Sequence, residues 1–351
     1  MIETGDHGMI WSVAFHSDGM HLLSGREAGL QRWRVADGKE VGEQLGSEVR
    51  AISVSRDGKW IVCGTMMKGA SVWDAEMQEK AVEVEGTDFV GVVDISPEST
   101  RFATGAGLLS GNYNASIWNI ITGERLVGPL QHDEYIAGIK FSPNGERVAT
   151  AVLLDSIRVF DSRNGDQLIT MKTNMPSSWP STPLAWSNDG LHIFVVDSYD
   201  KIESFDVSTG SQLAEAQIQG DDELYSITLA TNGKFLATFV DYSISFWDTS
   251  TFTQIGPVIE DSQKVRSIAL SPDCSYLATG GYNGNITIRN LINVLPDLYG
   301  PFRVSMHAFT NLSDESHNVI PLLIFPLGTY SKRARIGETK PTRIGGPQRS
   351  Q

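Results

Sequence analysis

The chain has 351 residues, 40% hydrophobic and 20% charged, enough apolar content for a sizeable core and too much for global disorder. Its net charge is −14, and residues 329–351 hold six Lys/Arg against one acid, so this local +5 leaves −19 on the rest, an acidic body that repels phosphate backbones. Two cysteines, Cys63 and Cys274, cannot build a disulfide framework or a zinc site.

In chain order the sequence repeats itself. Ile10-Trp11-Ser12-Val13-Ala14-Phe15 leads into a turn at Asp18-Gly19, then a short apolar run, then a segment ending in Trp33-Arg34. The same plan returns with turns at Asp57-Gly58, Glu98-Ser99, Asn144-Gly145, Asp189-Gly190, Asn232-Gly233 and Asp273-Cys274. The first residues of these turns are 39, 41, 46, 45, 43 and 41 apart. Each third segment closes on an aromatic-polar pair: Trp33-Arg34, Trp73-Asp74, Trp118-Asn119, Phe160-Asp161, Phe205-Asp206 and Trp247-Asp248, with Arg289-Asn290 in the seventh unit. Asn-Gly and Asp-Gly between β-branched runs such as Arg147–Val152 are hairpin signals, because both residues tolerate φ > 0. A fourth strand is expected after each pair, as in Gln167–Met171, Gln212–Ala216 and Gln254–Val258. No window sustains a helical period.

Seven units of four strands, a period of about 40–45 residues and a closing Trp-Asp resemble the WD40-repeat family, and among its members the degenerate fungal-type arrays. The resemblance implies an all-β fold: a seven-bladed WD40-like β-propeller of four-stranded antiparallel blades, with a non-repeat C-terminal extension. The expected propeller covers residues 1–292. Residues 293–328 then form an irregular extension, with a candidate closing strand at 302–309, and residues 329–351 a basic flexible tail. The family's Gly-His before the first strand is mostly absent here. Its buried His–Ser/Thr–Asp–Trp network is best matched in the fourth unit by His132, Thr150 and Asp155, where Phe160 replaces Trp. Ring closure falls either to residues 1–4 or to 302–309, and an incomplete last blade would leave an edge open to another chain.

No catalytic motif stands out. The seven histidines form no pair at metal-ligand spacing, and there is no nucleophile elbow or P-loop. Cys63 sits where sibling units have Ser24, Thr104, Thr150 and Thr279, so it reads as a small buried residue rather than a nucleophile. Cys274 replaces a turn glycine and reads as exposed. The expectation is a non-enzyme with no metal and no cofactor.

A binding surface can be argued further. In the resembled family, loops entering the first strand and loops joining the second and third share one face, the face that partners use. The residue just inside the first strand borders it: Trp11, Arg50, Gly91, Ala137, Thr182, Tyr225 and Arg266 for units one to seven. Units six, seven, one and two adjoin in a closed ring, so Tyr225, Arg266, Trp11 and Arg50 would form one arc of hot-spot residue types. The competing reading is that Trp11 and Tyr225 only pack against neighbouring blades. Turn-to-aromatic spacing is 15 or 16 in six units and 20 in the third, so Leu108 and Leu109 fall in an inserted loop on this face. Trp179, between serine and proline, lies in a second inserted loop.

The sequence therefore predicts a non-catalytic scaffold or adaptor that binds a peptide or protein loop on the narrow face, monomeric unless an open blade edge pairs. No nucleic-acid or membrane partner is expected: the longest apolar run, Val319–Leu327, contains two prolines and falls well short of the ~20 residues that span a bilayer. With no secretory leader in view, an intracellular, cytoplasmic setting is expected, and Lys332-Arg333-Ala334-Arg335 leaves the nucleus open. Two alternatives keep the fold: a sensor array like the C-terminal WD40 region of NLR-like NTPase proteins, and a propeller enzyme.

Overall fold

The computed structural model describes residues 1–2, 8–76, 78–84, 89–106, 113–153, 155–173, 183–197, 201–218, 226–229 and 232–296. The chain divides into two compact units, Met1–Gly300 and Pro301–Gln351, and the second lies wholly outside the described residues.

The first unit is a seven-bladed β-propeller. Six blades are four-stranded antiparallel sheets in sequential order, and the seventh has three named strands. Blade one illustrates the plan: strand a at Ser12–Phe15, b at His21–Arg26, c at Gly29–Arg34 and d at Glu40–Leu45. The other inner strands a are Val49–Val54, Val90–Ile95, Ile136–Phe141, Leu184–Trp186, Ser226–Leu229 and Val265–Leu270. Each touches the next around the ring, and the last touches the first.

The repeated turn explains the regularity. Its second residue adopts a left-handed backbone in all seven units: Gly19, Gly58, Ser99, Gly145, Gly190, Gly233 and Cys274, with φ between 59° and 74°. Glycine reaches this region freely, whereas Ser99 and Cys274 are held there against their own preference. Cys274 is also buried, at 2% exposure, in the core between blades six and seven. The expectation that it is exposed is thus overturned: its sulfur packs against the apolar cluster that includes Leu277 and Leu291.

The core lies between blades rather than inside any one. Ile10, Val13, Phe15, Leu22 and Trp33 of blade one share a cluster with Ala278 and Ile286 of blade seven. Approach is close enough that strand b needs glycine: a Cβ on Gly64 would meet the Val90 carbonyl oxygen at 2.6 Å. The free edges of the inner strands bond across blades. Val13 N–H donates to Ser267 Oγ (3.0 Å), Ile95 N–H to Ser53 Oγ (3.2 Å) and Phe141 N–H to Asp94 Oδ2 (2.8 Å). Such bonds satisfy inner-edge amides that no fifth strand could reach.

Blade seven runs Val265–Leu270, Tyr276–Gly281 and Ile286–Asn290, then a single helical turn, Leu291–Val294. Its outer side is met by the N-terminus: Ile2 N–H donates to the Ile286 carbonyl (2.7 Å) and Ile286 N–H to that of Ile2 (3.1 Å). Residues 302–309, the other candidate for this role, lie outside the described residues. In blade six the fourth strand is displaced from the expected Gln254–Val258. Only Gln254 bridges there, and the strand forms at Ile259–Glu260. The intervening Gly256 is left-handed and Pro257 has no N–H for a ladder.

Candidate functional site: the mouth of the central channel

The seven inner strands surround a central cavity of about 840 Å³. One end is lined by turn residues such as Ser17, Pro97 and Pro272, the other by Trp11, Arg50, Gly91 and Arg266. A regular strand would alternate its side chains between faces. The pairing of strands a and b skips one residue at Arg50, Gly91, Ala137 and Arg266, making each the extra residue of a β-bulge. Bulges re-aim a side chain without ending the strand. Four of the seven positions singled out from sequence are therefore set by one backbone device.

At the mouth three of these side chains meet. The Arg50 guanidinium carbon lies 3.4 Å from the centre of the Trp11 ring, and that of Arg266 lies 4.4 Å from it. Arg266 also donates to the Tyr282 hydroxyl (2.9 Å), and Arg50 to the Met66 sulfur (3.1 Å). Both arginines are more than nine-tenths buried. Burial, then the neighbouring Arg266 charge, pull the Arg50 pKa below the usual arginine value, against the more favourable Glu27 and Glu48. Cation–π contact with Trp contributes about 1–2 kcal/mol for each guanidinium. Blades three and four leave the opposite side of the mouth narrow. Gly91 has no room for a side chain, because the Tyr135 hydroxyl would stand 2.5 Å from its Cβ, and Phe89, Tyr135 and Ala137 form a small cluster there. Tyr225, Leu108, Leu109, Trp179 and Thr182 all lie outside the described residues. Of the predicted arc, the described structure thus brings together Trp11, Arg50 and Arg266. Tyr135 and Tyr282 were missed, since neither occupies the repeated position just inside strand a.

The blade-internal network survives in pieces. Indole N–H groups donate to Ser24 (Trp33, 2.8 Å), Thr104 (Trp118, 2.9 Å) and Thr238 (Trp247, 3.1 Å). In blade two Cys63 offers no hydroxyl, and Trp73 donates to Ser71 instead (2.9 Å). Cys63 is fully buried, which pushes its thiol pKa up to about 12 and leaves it a packing residue without a reactive thiolate. In blade four His132 Nδ1 faces the Leu130 carbonyl (2.9 Å) and Nε2 faces the Thr150 hydroxyl (2.9 Å). That pattern fits a neutral ring with the proton on Nδ1. Burial lowers its pKa to about 4. Asp155 does not join this network: its carboxylate takes hydrogen bonds from Ser156 (2.7 Å) and Arg158 (3.1 Å). Blade seven replaces the tryptophan altogether. Arg289 reaches the fully buried Asp261 carboxylate (2.9 Å), which Thr279 also bonds (2.6 Å).

Among the described residues no cluster of three or more His, Cys, Asp and Glu side chains is arranged to hold a metal ion, and no helix is long and apolar enough to cross a membrane.

Comparison with known proteins agrees with this geometry. Residues 2–30 and 252–290, which meet where the ring closes, match the family described as WD domain, G-beta repeat. The chain is 23% identical over 238 residues to Periodic tryptophan protein 2 of Arabidopsis thaliana, covering 67% of this chain and 26% of that protein. It is 22% identical over 237 residues to the U3 small nucleolar RNA-associated protein 15 homolog of Gallus gallus, covering 67% and 44%. It is 24% identical over 244 residues to Eukaryotic translation initiation factor 3 subunit I of Emericella nidulans, covering 66% and 70%. The chain thus spans about a quarter of the first of these relatives and under half of the second. Seven blades of the expected strand plan, matched repeats on both sides of the closure and these relatives together identify the chain as a member of the WD40-repeat family.

Proposed function

We propose that this propeller is a non-catalytic interaction platform that takes a peptide or protein loop at the mouth of its channel. The observation that carries this reading is the group of Trp11, Arg50 and Arg266, three side chains of the types that dominate binding hot spots, gathered at one opening. Relatives named as a subunit of a translation initiation factor and as an RNA-associated protein homolog support assembly with other macromolecules inside the cell. The acidic body favours a protein over a nucleic acid as the direct contact.

The test is affinity capture from native extract by the wild-type chain and by a Trp11→Ala/Arg50→Ala variant of unchanged circular dichroism. The platform reading expects a specific partner that the variant no longer retains. Equal retention by both would remove the mouth from the reading.

A further inference from the structure

The mouth carries donors that no acceptor among the described residues meets. Among the described residues, Nε and one terminal nitrogen of Arg50, Nε of Arg266 and the hydroxyl of Tyr135 are buried with no hydrogen-bond partner. No described carboxylate lies within ion-pair distance of either guanidinium. Two other partly buried arginines are satisfied within the chain: Arg289 bonds Asp261, Thr279 and the Glu260 carbonyl, and Arg101 bonds Glu98, Ser162 and Gly145. Arg26 shares the unmet donors of the mouth pair, but its guanidinium lies over Trp33 rather than Trp11. Buried donors without partners are costly, and charged ones most of all. Two like charges sharing one indole ring add repulsion, since Arg266 disfavours the charge on Arg50.

We infer that the mouth is an oxyanion-binding site, formed by Arg50 and Arg266 around Trp11, that receives the carboxylate of an Asp or Glu side chain on a partner polypeptide. The inference rests on the platform reading and names the chemistry of its partner. An incoming carboxylate accepts from several of the orphaned donors at once, and charge-assisted bonds of this kind are the strong ones. It also separates the two guanidinium charges electrostatically. A singly charged carboxylate meets less repulsion from the acidic body than a doubly charged phosphate does. Trp11 holds both guanidiniums in place before the ligand arrives, which lowers the ordering cost of binding.

The test reads the orphaned atoms themselves. The full chain, labelled on the arginine Nε–Hε groups, is titrated at constant ionic strength with three capped peptides: Gly-Ser-Glu-Ser-Gly, its Gln counterpart and its phosphoserine counterpart. The Arg50 and Arg266 signals are expected to shift saturably with the Glu peptide and not with the Gln peptide. Arg50→Gln is expected to abolish the Arg266 response while its amide spectrum stays folded. Equal shifts with Gln, or no saturable shift with Glu into the millimolar range, would overturn the site. A response to the phosphoserine peptide alone would overturn the carboxylate assignment. Capture of the native partner separates this inference from the platform reading. Loss of capture in Trp11→Ala with full capture by Arg50→Gln/Arg266→Gln would leave the platform and end the oxyanion site. A saturable Glu response with undiminished capture by Trp11→Ala/Arg50→Ala would do the reverse.

Discussion

Two arginine sites of this propeller make an instructive pair. Arg289 in blade seven stands where other blades place an aromatic ring, and its guanidinium is fixed by the buried Asp261, by Thr279 and by the Glu260 carbonyl. Arg50 and Arg266 are at least as deeply buried, yet their contacts are an indole face, a sulfur and a phenol hydroxyl. The first arrangement is complete within the chain. The second is held in place but, among the described residues, electrostatically unfinished. Charge of one kind thus serves the fold at one site, and at the other its donors go unmet among the described residues, which is the basis of the proposed oxyanion site.

The largest expected effect breaks the finished site. Asp261→Ala leaves Arg289 buried beside Thr279 without its carboxylate, and unfolding in urea should show a loss of about 3–5 kcal/mol. Replacing both partners with leucine should recover most of it, because an apolar pair leaves no charge stranded.

A second prediction concerns the buried cation that blade four avoids. His132 has an ordinary value of 6.5 and a folded value of about 4. The unfolded chain therefore takes up the proton first as the pH falls. Stability from this site is whole above pH 6.5 and declines toward pH 4, by up to about 3 kcal/mol. His132→Gln should flatten that part of the stability profile while Asp261→Ala does not.

A smaller effect is expected at the mouth. Trp11→Leu removes the surface on which both guanidiniums rest, and the loss should be about 2 kcal/mol in thermal unfolding. Within the comparison this variant separates holding the arginines from needing them.

Much of the architecture was legible because the repeat writes its turns in the sequence. Asp-Gly and Asn-Gly recur at five of the seven positions where the backbone is left-handed, and the closing aromatics sit at a fixed distance beyond them. The arc position was legible through the same periodicity. What aims its side chains was not: a β-bulge leaves no residue signature, and only the strand register shows that Arg50 and Arg266 are the extra residues. The Asp261–Arg289 pair escaped for a related reason. Its members are 28 residues apart, and the family pattern directs attention to an aromatic that is absent. His132 and Thr150 were found through that pattern, whereas Asp155, chosen with them, turns instead to Ser156 and Arg158. Cys274 was misjudged because a turn residue is ordinarily exposed, and here it is buried in the cluster that blade seven shares with blade six. Tyr135 was out of reach, since its place beside Gly91 depends on contact between blades three and four.

The central claim is that the mouth arginines are not there to hold the propeller together. The urea midpoint of an Arg50→Met/Arg266→Met variant tests it most directly. Methionine keeps much of the apolar stem volume and removes two buried charges with unmet donors. The account predicts a midpoint equal to or above that of the native chain. A fall comparable to that of Asp261→Ala would show that these arginines, like Arg289, belong to the fold.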